Sequence, residues 1–249
     1  MYDTATGTWA ATGSLLTPRF FHTATLLQDG RVLVTGGATA EYGGTVLATA
    51  EVYDPATGNW TLTAAMGAAR RNHTAALLQD GRVLVTGGTD AGGALQRTAE
   101  LYDPVTDAWS PVEGMSIARA YHSATLLPDG KVLVVGGGGA DQASSASAEA
   151  FDPALGTWSA AGSLSHPRRY HTATRLRSGQ VLVTGGFHEF TGILTSSEVY
   201  EPTTGTWHET YSMNVDRYFH TATPLPDGRV LVVGGISNTN QASAEVYSP

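Results

Sequence analysis

The chain has 249 residues, a formal net charge of −8 and no cysteine. One all-β domain of this length is feasible; disulfides and thiolate metal sites are excluded, and the absence of basic runs argues against a nucleic-acid surface, which needs clustered Lys and Arg. No apolar stretch approaches the ~20 residues of a membrane span, and the opening "MYDTATGTWA" lacks the basic and apolar regions of a signal peptide, which leaves the compartment open.

The first strongly patterned segment is "RFFHTATLLQDGRVLVTGG", from Arg19 to Gly37. Its "HTATLL" predicts a strand, Asp29-Gly30 a hairpin turn, and "RVLVTGG" a second strand whose "VLV" run suits burial on both faces. A loop follows, then a third strand at "AEVYD". A "DPATG" turn, rich in the residues that fit turn backbone angles, leads to a fourth strand opening at Trp60. The same order returns from Arg70, Arg119, Arg168 and Arg217, and the tryptophans Trp9, Trp60, Trp109, Trp158 and Trp207 fall at spacings of 51, 49, 49 and 49. Helix signals are nearly absent. Four short antiparallel strands every ~50 residues, ending at a tryptophan, point to β-propeller blades.

The Gly-Gly closing the second strand, the Tyr of the third and the Trp opening the fourth occur together in four complete internal units, with Phe151 replacing Tyr in one. In these features nearly the whole chain resembles the kelch-repeat family. The resemblance implies a single all-β domain over residues 1–249, a five-bladed β-propeller of four-stranded antiparallel blades. Kelch propellers usually have six or seven blades, so five units is a departure. Either this is a small propeller, or it is an excerpt or engineered fragment of a longer kelch array. The last unit has no tryptophan after "AEVYSP", and the chain opens with a spare one at Trp9. The expectation is a monomeric ring in which residues 8–13 pair beside Glu245 to Tyr247 and hide an edge that would otherwise recruit other chains.

The recurring polar residues have two readings each. His22, His73, His122, His171 and His220 could ring a metal. A residue present in every blade, however, serves the repeat, and packed imidazoles bonded between blades are the expectation. The Gly-Gly pairs end a strand with no helix after them, unlike a phosphate cradle. Strand directions place Arg19 with Glu51, Arg70 with Glu100, Arg119 with Glu149, Arg168 with Glu198 and Arg217 with Glu245 at one end of each blade. The glycines between them leave room for a buried pair, which fixes geometry more than it stabilises. The alternative is a ring of Arg at the pore mouth holding an anion.

Divergence is concentrated in the loops between second and third strands: "ATAEYGGTVLAT", "TDAGGALQRT", "GGADQASSAS", "FHEFTGILTS" and "ISNTNQAS". Binding is commonly carried by loops on a rigid scaffold. The candidate binding residues are therefore Phe187, His188, Glu189 and Phe190 of the fourth loop, with Tyr42, Asp90, Asp141 and Asn238 at corresponding positions. The expected function is non-catalytic binding of a protein partner through this face, with no cofactor and no metal. A glycan-binding, lectin-like role is the alternative, as is a sugar-acting enzyme, because relatives of the fold include carbohydrate oxidases and a sialic-acid mutarotase. The copper-radical oxidase pattern needs a cysteine cross-linked to tyrosine, and this chain has none.

Overall fold

The computed structural model describes residues 1–138 and 143–249. It is all-β: a five-bladed β-propeller of antiparallel sheets, with no helix among the described residues. A hairpin of β1 (Tyr2–Asp3) and β2 (Thr8–Trp9) comes first. Blade 1 is β3 (Thr23–Leu26), β4 (Val32–Thr35), β5 (Ala50–Asp54) and β6 (Asn59–Leu62). Blade 2 is β7 (Thr74–Leu77), β8 (Val83–Thr86), β9 (Ala99–Asp103) and β10 (Ala108–Val112). Blade 3 is β11 (Ser123–Leu126), β12 (Val132–Val135), β13 (Ser147–Asp152) and β14 (Thr157–Ser163). Blade 4 is β15 (Thr172–Arg175), β16 (Val181–Thr184), β19 (Ser197–Glu201) and β20 (Thr206–Thr210), with a small hairpin of β17 (Phe187–His188) and β18 (Gly192–Ile193) in its loop. Blade 5 has three strands, β21 (Thr221–Pro224), β22 (Val230–Val233) and β23 (Ala244–Tyr247).

Local chemistry accounts for the blade. In the first hairpin Gly30 takes φ +86°, and the Asp29 carboxylate accepts the Arg31 N–H at 3.0 Å. The "VLV" strands lie second in each sheet and are buried, as their unbroken apolar run requires. The Tyr of the third strand meets the Trp of the fourth directly across the sheet, with ring centroids 5.1 Å apart in blade 1 and 5.0 Å in blades 2 and 4. Neighbouring blades then share a core. Leu33 and Val52 of blade 1, for example, pack with Val83, Val85 and Tyr102 of blade 2.

The glycine pairs serve these joints. A Cβ on Gly36 would lie 2.5 Å from the Arg70 carbonyl of the next blade, and Gly37 donates its N–H to that same carbonyl at 2.8 Å. First strands touch in chain order, β3 to β7, β7 to β11, β11 to β15 and β15 to β21, and so line the axis.

Ring closure by the N-terminal strand, expected above, is not what forms. β2 pairs with β1, Tyr2 opposite Trp9 and Asp3 opposite Thr8, and blade 5 stays three-stranded with β23 at its edge. Residues 1–9 contain a complete third-strand–turn–fourth-strand unit. Gly7 at φ +69° donates to the Asp3 carbonyl at 2.8 Å, and Tyr2 stacks on Trp9 at 5.2 Å. That local pairing wins over a partner more than 230 residues away, whose loop-closure cost is larger. Residues 12 and 13 then dock on blade 1: Thr12 Oγ1 bonds the Tyr53 hydroxyl, and Trp60 Nε1 donates to the Gly13 carbonyl at 3.0 Å. Trp9 is left 80% exposed.

Candidate functional site at the loop-face mouth

The five arginines are buried and paired. Nη2 to carboxylate distances are 2.8 Å (Arg19–Glu51), 2.9 Å (Arg70–Glu100), 2.7 Å (Arg119–Glu149), 2.9 Å (Arg168–Glu198) and 3.0 Å (Arg217–Glu245). Arg19 Nη1 also donates to the carbonyls of Gly36 and Thr49, at 2.9 and 2.8 Å, which stitches strands together. The Glu51 carboxylate accepts the N–H groups of Leu16 and Thr17 at 2.7 and 3.1 Å. With all five arginine side chains 0% exposed, these residues cannot form the anion-holding ring considered as an alternative.

The imidazoles are also committed. His73 Nε2 lies 3.1 Å from the hydroxyls of Thr23 and Thr35, and His122, His171 and His220 meet Thr74, Ser123 and Thr172 at 2.8, 2.9 and 2.9 Å. Each bond crosses from one blade to the preceding one. Burial, followed by the charge of the blade's own arginine, depresses their pKa values: to about 3 for His73 and His171, to about 4 for His220, and well below the ordinary value for His122. They are neutral at pH 7. His22, without a preceding blade, is half-buried and turns Nδ1 to the Arg19 carbonyl at 3.1 Å. No cluster of three or more potential metal ligands occurs among the described residues.

Just above these imidazoles sits a feature that sequence reasoning missed. The residue before each histidine has a left-handed backbone: Phe21, Asn72, Tyr121, Tyr170 and Phe219, at φ 54–59°. Such angles are uncommon outside glycine and cost energy. Four of the five are held by a backbone bond to the blade before: Asn72 N–H to Phe21 O at 3.1 Å, Tyr121 to Asn72 at 3.2 Å, Tyr170 to Tyr121 at 3.1 Å and Phe219 to Tyr170 at 3.2 Å; Phe21, in blade 1, only accepts. The result is a hydrogen-bonded girdle that runs along the axis from Phe21 to Phe219, with side chains that crowd its mouth. Tyr121, Tyr170 and Phe219 lie ring to ring at 4.5 and 4.4 Å, and Asn72 Nδ2 donates to the Tyr121 hydroxyl at 3.1 Å. Burial, with Tyr121 alongside, pushes the Tyr170 phenol up to about 12. These four side chains and the four buried imidazoles line an open axial cavity of about 290 Å³.

One position further back the side chains are Phe20, Arg71, Ala120, Arg169 and Tyr218. Each bridges the residue after the Gly-Gly of its own blade. Arg169 lies over the rings of Tyr170 and Phe187, 5.4 Å from both centroids, and Tyr218 packs between Phe187 and Phe219. An aromatic patch therefore runs from the mouth into the fourth loop. A signal for it existed in the sequence. Between the constant Arg and the constant His, the copies read FF, RN, AY, RY and YF.

The loop candidates divide. Phe187 packs against Tyr218, and Glu189 accepts the Ser144 N–H at 2.8 Å, tying the fourth loop to the third. Burial opposes ionisation of Glu189, and the Ser144 hydrogen bonds outweigh it and hold its pKa low. His188 Nδ1 bonds Thr191 at 3.0 Å. Asp90 accepts the N–H groups of Gly92 and Ala94 at 2.8 and 2.9 Å and shapes its own loop. Asn238 is exposed, and Asp141 lies outside the described residues. Phe190 and Tyr42 are 88% and 86% exposed on the face, with the Phe190 ring edge-on to His188 at 5.7 Å.

A family model described as the Kelch motif matches residues 19–67, 70–116 and 119–165. No curated protein matches the chain. Among solved structures, that of YjhT superposes with a TM-score of 0.77 at 17% identity, covering 97% of this chain and 83% of that one. At this identity the likeness is one of fold.

Proposed function

The chain belongs to the kelch family, and on that premise we propose that it is a non-catalytic binding propeller that docks a protein partner on its loop face, centred on the aromatic mouth. The observation that carries this reading is the exposed aromatic surface of Phe20, Phe21, Phe219 and Phe190, with Tyr42 in another loop, spread over that face rather than gathered in one enclosed cavity. Contact residues of high binding value are enriched in aromatics and Arg and sit on preorganised backbone, which the girdle supplies. The groups that acid–base chemistry would need are buried or paired: the imidazoles bond Thr and Ser through Nε2 and keep Nδ1 buried, and the repeat glutamates pair with Arg.

A peptide and glycan array probed with the purified chain tests this, with Phe219→Ala and Phe190→Ala as variants. Peptide hits weakened at least tenfold by Phe219→Ala, with an unchanged melting temperature, support the reading. Hits confined to glycans, or insensitive to both variants, refute it.

A further inference from the structure

The five side chains two residues before the histidines do not have equal fates. Phe20 packs on Phe21, Tyr218 on Phe219, and Arg169 on Tyr170 and Phe187. Arg71 is the exception. Its backbone is fixed by paired bonds with Thr89, N–H to O at 3.0 Å and the reverse at 2.8 Å. Among the described residues its guanidinium forms none of the ion pairs or ring contacts seen for Arg19, Arg70, Arg119, Arg168, Arg217 and Arg169, and its Nε, like those of Arg70, Arg119 and Arg217, is buried with no hydrogen-bond partner. The Thr89 hydroxyl, on the residue bridged to it, is likewise buried and unbonded. The cause is legible. The left-handed residue beside Arg169 is Tyr170, which gives that cation a ring to lie on; beside Arg71 it is Asn72, which gives none.

A guanidinium held on fixed backbone at the rim of an aromatic site, without a carboxylate of its own, is complementary to a carboxylate. We propose that Arg71, with Asn72 and Thr89 beside it, is the anion-recognising subsite of the mouth, and that the partner presents a carboxylate there. This rests on the reading of the loop face as a protein-docking surface. The chain as a whole is acidic, with a net charge of −8, so an acidic partner is repelled from most of its surface. A single unpaired cation at the mouth then sets where and in which orientation that partner lands.

The carboxylate could be a side chain or a chain terminus, and small probes separate the two. The chain is titrated with N-acetylglutamate α-amide, with N-acetylalanine and with the uncharged N-acetylglutamine amide, following the Arg71 Nε–H resonance by NMR. At least one carboxylate probe is expected to shift that resonance saturably and the glutamine probe is not. The tighter carboxylate identifies the source. With binding in the variants followed through the Thr89 backbone amide resonance, which all of them keep, Arg71→Gln should weaken the carboxylate at least tenfold and Arg71→Lys less, whereas Arg97→Gln, an exposed cation of the same face, should change nothing. Equal shifts from the uncharged probe, or affinity within twofold in Arg71→Gln, would overturn the subsite. For an array-derived peptide, loss of binding in Phe219→Ala with full binding in Arg71→Gln would sink the carboxylate while leaving the docking face intact; indifference to both would remove both.

Discussion

Acidification from pH 7.5 to 5.5 should destabilise this propeller through its axial histidines. In the folded chain His73 and His171, at about 3, His220, at about 4, and His122, well below its ordinary value, are held neutral. In the unfolded chain each returns to ~6.5. Because the folded-state values are depressed, the unfolded chain binds protons first. The stabilisation is therefore complete above pH 6.5 and is lost as pH falls from there towards 3. At pH 5.5 each histidine costs RT ln 11, or about 1.4 kcal/mol, and the four together about 5–6 kcal/mol. That is a large part of the ~5–15 kcal/mol typical of a folded domain. The window also excludes carboxylates, whose contribution comes at lower pH. Urea unfolding at half-unit intervals would show a slope approaching four protons, and His122→Gln should reduce the fall at pH 5.5 by about 1.4 kcal/mol relative to its own value at pH 7.5. A stability that stays within about 1 kcal/mol between pH 7.5 and 5.5 would refute the claim that burial keeps these imidazoles neutral.

Three further outcomes follow from the joints and the face. Arg119→Met should cost about 3–5 kcal/mol in chemical unfolding, because Glu149 stays buried without its cation, and the double variant with Glu149→Leu should recover most of it. Gly87→Ala should destabilise by at least about 2 kcal/mol, since φ is +69° and the new Cβ would lie 2.5 Å from the Arg119 carbonyl; Gly43→Ala, at the same φ with nothing within 4 Å, should cost only about 1 kcal/mol. Phe190→Ala should leave the melting temperature within a degree or two of the parent, because the ring is 88% exposed, while weakening any partner held on the loop face.

Periodicity made the blades legible because each strand's burial is set within one repeat and its neighbour: the "VLV" runs, the Asp-Gly hairpins and the Tyr–Trp pairs all answer to local rules. The Arg–Glu pairing could be anticipated for the same reason, since strand direction and a glycine gap decide it. Loops follow no such rule. In the sequence the loop of Phe187 and Glu189 reads equally as a contact surface or as a loop packed on itself; Tyr218 and Ser144 take these two side chains up, and those contacts depend on which loops happen to abut. The mouth was overlooked for the opposite reason. Its aromatics sit inside the most regular part of the repeat, between Arg and His, where constant neighbours disguise a variable pair.

The N-terminal segment offers the sharpest separation between what the pattern suggests and what the fold does. Were Trp9 to complete blade 5, removing residues 1–9 would strip a buried tryptophan from beside Tyr247, a loss of about 3–5 kcal/mol. In the structure Trp9 is 80% exposed and stacks only on Tyr2, so that truncation should cost less than about 1 kcal/mol. Removing residues 1–13 is different. It deletes the Gly13 N–H bond to Gly58 O at 3.0 Å, the Trp60 Nε1 bond to Gly13 O and the Thr12–Tyr53 bond, and uncovers part of blade 1. At about 1 kcal/mol each, the loss is about 2–3 kcal/mol. Unfolding curves of the two truncations, together with hydrogen exchange at β23, distinguish the cases. Fast exchange at the unpaired edge amides of β23 in the full chain, and a step in stability between the two truncations, are the expected results. Protected β23 edge amides that lose protection when only residues 1–9 are removed would show that the ring closes after all.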